Sequence, residues 1–262
     1  MEINLVGKNA LVGGSTSGIG KAIAQQLASS GANITLVARD EDKLKSVLSS
    51  LDVSKNQSHQ YIVTDYADLE SYKKTISAYF LINHVDILVN NTQGPNAGTV
   101  VQKFEQDYLQ AFNLLFQIAV FTTNLALVNM KEKGFGRIIN VSSMTVKEPQ
   151  DSLVLSNTMR TALVSWSKSL SNAVAKDNIT VNSIMTGYFD TERLTTLMEN
   201  QAKNEGVSFD EIKLKRIQSV PVQRLGDPKE YGYLVTFLAS EYASFLTGAS
   251  IPLDGGIAKT IF

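Results

Sequence analysis

The sequence predicts an α/β fold, a parallel sheet covered by helices on both faces, and three observations carry that expectation. Short apolar runs alternate along the chain with longer segments of helical period, the pattern left by repeated βαβ units. A glycine-rich stretch, Gly14-Ser15-Thr16-Ser17-Gly18-Ile19-Gly20, stands between the first apolar run and the first helical segment. The 262 residues can bury a large core as one domain, 1–262, and no linker, internal repeat or low-complexity tract divides them.

Seven apolar runs are short enough to be buried strands: 9–12, 33–38, 60–63, 87–90, 137–141, 180–184 and 250–253. Between them lie longer segments of helical period at 18–29, 41–51, 67–80, 104–131, 153–176 and 228–240. The stretch 192–220 is charged and helix-prone, precedes a turn at Pro221, and is placed to act as a lid over a ligand site. The most apolar long window, 108–128, is interrupted by Gln110, Asn113, Gln117, Thr122, Thr123 and Asn124, so it reads as a helix packed inside protein and not as a membrane span. Within it Leu115, Phe116, Ile118, Val120 and Phe121 are too dense for one face, which predicts burial on several sides.

Composition narrows the function. With 24 Lys plus Arg against 25 Asp plus Glu, the net charge of −1 offers no general attraction for nucleic acid or anionic lipid. The absence of Cys excludes a disulfide scaffold, a thiolate nucleophile and Cys-based metal sites, and it fits a reducing compartment, the cytoplasm by default. The opening MEINLVGKNALVGG lacks the regions of a signal peptide. His59 and His84 precede the third and fourth strands, at the sheet end opposite the glycine stretch, so a Ser-His hydrolase is not expected. No metal-ligand spacing is seen, and no metal is expected.

The glycine stretch has the chemistry of a dinucleotide site. Glycines let the backbone turn tightly and approach a pyrophosphate, whose charge then sits at the positive end of the following helix. At the end of the second strand, Val37-Ala38-Arg39-Asp40 offers a guanidinium to a 2′-phosphate, and Ala38 carries no carboxylate to repel it. Taken alone, Asp65 reads as the N-cap of a helix starting near Ala67.

The Gly-x3-Gly-x-Gly spacing resembles the short-chain dehydrogenase/reductase family, and within it proteins like the 3-oxoacyl-acyl-carrier-protein reductases. Further matches run in order through the chain: Asp65, Asn90-Asn91, Gly136 to Ser143, Val181-Asn182-Ser183-Ile184 with Gly187 and Thr191, and Leu253-Asp254-Gly255-Gly256. The resemblance implies a Rossmann-type doubly wound sheet of order 3-2-1-4-5-6-7 and a homotetramer in which the long helix meets its counterpart. It implies NADP, with NAD as the alternative, held by Gly14, Ser17, Gly18, Ile19, Gly20, Arg39, Asn90, Gly187 and Thr191. Ser15 would be a second phosphate contact, and Asp65 and Tyr66 would bond or flank the adenine.

At the catalytic positions the sequence departs from the family, in which a Ser polarises the substrate carbonyl, a Tyr in Tyr-x3-Lys exchanges the proton and an Asn completes a water relay. Ser143 matches the Ser. Thirteen residues on, Ser156 stands at the Tyr and Arg160 at the Lys, with 161–170 fixing the register; Leu115 stands at the Asn, and Asn113 points about 200° away. Gly13 replaces a usual Thr, and Thr186 a usual Pro. An alkanol is a far weaker acid than a phenol, and a guanidinium relays no protons. Arg160 retains the ability to hold ribose hydroxyls. Lys147 and Tyr188 are the other proton sources near this sheet edge. Two functions follow: an oxidoreductase acting on a small carbonyl or alcohol, or a non-catalytic NADP-binding sensor or structural partner.

Overall fold

The structure, a computed structural model describing residues 2–261, has seven parallel strands in one sheet of order β3-β2-β1-β4-β5-β6-β7. In chain order these are β1 (Asn9–Gly13), β2 (Asn33–Ala38), β3 (Gln60–Val63), β4 (Ile87–Asn90), β5 (Gly136–Val141), β6 (Ile179–Thr186) and β7 (Ser250–Leu253). The helices are α1 (Gly18–Ser29), α2 (Glu41–Ser49), α3 (Leu69–Phe80), α4 (Glu105–Phe112), α5 (Ile118–Lys133), α6 (Val154–Val174), α7 (Glu192–Glu205), α8 (Phe209–Ser219) and α9 (Pro228–Ala239). The strand order reverses between β1 and β4, which opens a crevice beyond their carboxyl ends.

Successive side chains on each strand face opposite sides, and both sides are apolar. On β1, Ala10 and Val12 join one core with Leu27 of α1 and Val235 of α9, while Leu11 joins the other with Ile76 of α3 and Met130 of α5. The helix α3 begins two residues later than the sequence predicts because Asp68 caps it, accepting from Ser71 N at 3.0 Å. Asp65 instead closes the preceding turn, accepting from Ala67 N at 2.9 Å.

A π-helical turn, Asn113–Gln117, joins α4 to α5, and Glu105–Lys133 forms a run of 29 residues. By length and composition alone that run could cross a membrane. It buries Ile118, Ala126 and Met130 under the sheet. Of the five apolar residues expected to be buried on several sides, Leu115 and Ile118 are buried and Phe116, Val120 and Phe121 half-buried, whereas Val128 further along the run is 57% exposed. Phe112 and Phe116 stack at 5.3 Å, and Phe116 meets Trp166 of α6 at 6.2 Å. The stretch 192–220 folds as α7 and α8 around a small core of its own, Leu194, Met198, Ala202 and Ile212.

Candidate active site

The loop from β1 to α1 turns on Gly14 (φ +54°) and Gly18 (φ +50°), a conformation that side chains rarely adopt. A Cβ on Gly14 would stand 2.8 Å from the amide nitrogen of Asn91, and one on Gly20 would strike the Gly14 carbonyl. The positive ends of α1 and α7 meet at this loop. Thr191 caps α7, accepting from Leu194 N at 3.3 Å, and its methyl lies 3.0 Å from where a Gly18 Cβ would be. Ser17 is exposed and makes no capping bond, and Ile19 packs on the core below. Gly187 allows Asp254 to approach: a Cβ there would stand 2.5 Å from its Cα.

Three expected contacts point elsewhere. Ser15 is fully buried, its hydroxyl accepting from Val37 N at 3.0 Å and donating to Val37 O at 3.4 Å, so it ties the loop to β2 and faces no phosphate. The Tyr66 phenol lies under the loop: its hydroxyl accepts from Gly14 N at 3.3 Å and donates to Val37 O at 3.4 Å, so that end of the side chain is committed to the loop and to β2. Burial pushes its pKa well above the usual phenol value. Asn90 turns inward, donating to Asn140 Oδ1 at 2.8 Å and Thr123 Oγ1 at 3.2 Å, and so joins β4 to β5 and α5.

Arg39 is exposed at the end of β2, with no ion pair among the described residues. Its neighbour Asp40 is engaged as the cap of α2, accepting from Lys43 N at 3.0 Å.

Ser143 lies two residues past the end of β5 and accepts twice from Thr145, from N at 3.2 Å and from Oγ1 at 3.0 Å. It thereby caps the short turn Met144–Val146, and its own proton is left to donate. Ser156 and Arg160 lie one turn apart on α6. Arg160 Nε donates to Ser156 Oγ at 3.2 Å and Nη1 to Val141 O at 2.5 Å, which brings the guanidinium to the end of β5. Burial lowers the Arg160 pKa, with Tyr231 opposing and Arg193 adding to the shift; the group stays charged at neutral pH. Leu115 is buried among Ala111, Leu155 and Met159. The Tyr188 phenol accepts from Gln150 Nε2 at 3.0 Å, with Arg216 over its ring at 4.5 Å. A cavity of about 20 Å³ is lined by Gly13, Tyr66, Asn91, Thr92, Leu115 and Arg160.

The histidines lie at the far end of the sheet. His59 Nδ1 accepts from Ile34 N at 3.1 Å, and His84 Nε2 pairs with Asn9 Nδ2 at 2.7 Å.

A family model described as Enoyl-(Acyl carrier protein) reductase matches residues 14–258. The chain belongs to the short-chain dehydrogenase/reductase family. The uncharacterized oxidoreductase YvaG of Bacillus subtilis (strain 168) is 33% identical, with the whole of both chains covered. The 3-oxoacyl-[acyl-carrier-protein] reductase FabG of Aquifex aeolicus (strain VF5) is 31% identical over 98% of this chain and 100% of its own. Among solved structures, L-sorbose reductase from Gluconobacter frateurii, complexed with NADPH and L-sorbose, superposes with a TM-score of 0.92 at 30% identity over all of both chains.

Three features of this family member escape a reading of its sequence. Asn91 donates to Gly13 O at 3.0 Å and braces the glycine loop; the doubled Asn was the available signal. Arg193, two residues past the Thr191 cap, donates from Nη2 to Pro95 O at 2.9 Å, across from the loop after β4. Glu148 accepts from Lys259 N and, at 2.9 Å, from Thr260 N, clasping the carboxyl-terminal segment to the loop after β5; nothing local signals so long a contact.

Proposed function

We propose that this chain is an NADP-dependent oxidoreductase that interconverts a carbonyl and an alcohol. The residues fit the cofactor: positive-φ glycines form a cradle that a Cβ would fill, two helix amino ends converge on it, and Arg39 is free for a 2′-phosphate. The freedom of Arg39, with Asp40 committed to α2, is the observation that carries NADP over NAD. Gly14, Ser17, Gly18, Ile19, Gly20, Gly187 and Thr191 line the cradle, and Asp65 borders the adenine end.

When bound, NADPH supplies the hydride. Ser143 donates its unshared proton to the substrate carbonyl and polarises it. Ser156 and Arg160 stand in place of the family's Tyr and Lys. Arg160 orients the ribose side of the crevice, while the Ser156 hydroxyl is a weak acid in a position that calls for a strong one. The helices α7 and α8 close over the crevice as a lid, a role supported by their separate core. The half-exposed ladder of Phe112, Phe116 and Trp166 supports assembly through this surface into a homotetramer.

The bond from Arg160 to Ser156 favours a second reading, a non-catalytic NADP sensor, because it engages the pair in each other and leaves no phenol. Incubation of the purified protein with NADPH and a panel of carbonyls separates the two. Cofactor oxidation that depends on one carbonyl supports the enzyme; tight NADPH binding without oxidation across the panel supports the sensor.

A further inference from the structure

Tyr231 of α9 is fully buried and edge-on to Phe189 at 5.3 Å. Its phenol has one hydrogen-bond partner among the described residues, the Thr186 hydroxyl at 3.0 Å. Thr186 ends β6 and is half-buried, and its hydroxyl in turn meets only that phenol among the described residues. The pair holds two protons and one bond. If Thr186 donated, the phenol proton would be left buried without an acceptor, which is costly; Tyr231 therefore donates, and the Thr186 proton is the one left over. Burial also raises the Tyr231 pKa, which keeps that donor protonated.

The spare proton of Thr186 stands beside that of Ser143. The β5–β6 ladder pairs Val141 with Ile184, and Ser142 N donates to Ile184 O at 2.9 Å, so the register continued two residues sets Ser143 opposite Thr186. Ser143 keeps an extended backbone (φ −149°, ψ 148°), and alternation puts it on the face of Val141 just as it puts Thr186 on the face of Ile184. Val141 and Ile184 belong to the same core. Neighbouring strands lie about 4.8 Å apart, and hydroxyls that each reach about 2.8 Å can meet on one oxygen across that gap.

We infer that Thr186 is a second donor to the substrate oxygen, beside Ser143, and that Tyr231 is a positioning residue that holds the Thr186 oxygen and aims its proton outward. This rests on the oxidoreductase reading above. It accounts for the departure at 186, because the proline usual in the family carries no hydroxyl and would leave a phenol beneath it without a partner. Two donors on one oxygen stabilise the negative charge that hydride transfer develops there, in a crevice where Ser156 is only a weak acid. The bond from Tyr231 polarises the Thr186 hydroxyl and so strengthens it as a donor.

The probe for the test is dimethyl sulfoxide, whose oxygen accepts hydrogen bonds as a ketone oxygen does but takes no hydride. It is titrated into the protein saturated with NADPH and followed by ligand-observed NMR. The sulfoxide should bind, and Ser143→Ala and Thr186→Val should each weaken it about threefold to tenfold, the range for one neutral hydrogen bond. Thr186→Ser, which keeps the hydroxyl, should bind it as the parent does, and NADPH affinity should stay within about twofold in Thr186→Val. Tyr231→Phe should weaken the sulfoxide too. Combined with Thr186→Val it should add nothing, since Tyr231 acts through Thr186, whereas a tyrosine that only fills the core would add its own loss. Should Tyr231→Phe fail to fold, Thr186→Val against Thr186→Ser carries the test. Absence of sulfoxide binding overturns the inference, as does equal binding by Thr186→Val and the parent. NADPH affinity lost in Thr186→Val, with sulfoxide binding kept, assigns the hydroxyl to the nicotinamide and overturns it too. Turnover of a carbonyl that Thr186→Val leaves unchanged overturns it while the oxidoreductase reading stands. Sulfoxide held through both hydroxyls, with no carbonyl of the panel reduced, supports the pair of donors and rejects the oxidoreductase.

Discussion

The hydroxyl of Tyr66 occupies the space in front of Gly13: a Cβ on Gly13 would stand 2.9 Å from it. The phenol reaches under the glycine loop from the turn after β3 and takes the Gly14 N–H, and the missing side chain at Gly13 makes room both for it and for the Asn91 carbonyl oxygen, from which a Gly13 Cβ would stand 2.3 Å. One local feature thus accounts for two residues, a bulky one and an absent one.

Tyr66→Phe removes that acceptor and leaves the Gly14 N–H without its partner. The expected loss is about 1–3 kcal/mol of stability, the cost of an unsatisfied buried donor, together with weaker NADPH binding as the loop loosens. Thermal unfolding and fluorescence titration of the variant check it. A variant as stable as the parent, with unchanged NADPH affinity, would show that Asn91 alone holds the loop.

Burial raises the pKa of Tyr66, Tyr72 and Tyr231 above the usual 10.0. Above about pH 10 the unfolded chain releases these protons while the folded one keeps them, so the unfolded state binds fewer protons and stability falls as pH rises. Below that pH the three contribute no slope. Urea unfolding from pH 8 to 11 should show the decline beginning near pH 10, shallower in Tyr72→Phe. An identical slope in that variant would place the titrating groups elsewhere.

Arg39→Ala should cost NADPH about tenfold to a hundredfold in affinity and NADH little, because only the 2′-phosphate engages the guanidinium. Titration by cofactor fluorescence reads both. Equal affinities in the parent protein would remove the assignment.

The sheet was legible because each strand is a short apolar run with a helical segment beside it, and parallel strands buried on both faces carry little else. The direction of a loop side chain was not. Ser15 has the composition of an exposed turn residue, yet the backbone that Gly14 bends returns its hydroxyl to Val37, and no local pattern reports that return. Asp65 and Asp68 are equally good caps by residue type, and geometry selects Asp68. The break of 192–220 into two helices was readable after the fact: Gly206 at φ +68° ends α7, and Ser208 caps α8 by accepting from Glu211 N at 3.1 Å.

The last prediction concerns the proton that turnover requires. Ser156→Tyr with Arg160→Lys places a phenol one helical turn from an ammonium, at the spacing that Ser156 and Arg160 already show to be within hydrogen-bond reach. Adding Leu115→Asn puts an amide at the position that the family resemblance assigns to the relay, but it sets that amide among Ala111, Leu155 and Met159, where an unpaired polar group costs about 1–3 kcal/mol. The double variant should therefore be made first and the triple compared with it, since residues that act as a unit are not additive. If only a proton donor is missing, carbonyl reduction should rise by about 10² or more, the lower bound for a positioned general acid. Vigorous parent turnover, unaffected by Ser156→Ala but lost in Tyr188→Phe or Lys147→Ala, would instead locate the acid at the rim, where Gln150 holds the Tyr188 phenol as an acceptor and leaves its proton free. Inactivity of parent and variants alike, with NADPH bound tightly by all, would move the weight to the sensor, because chemistry would then be absent for a reason deeper than one side chain.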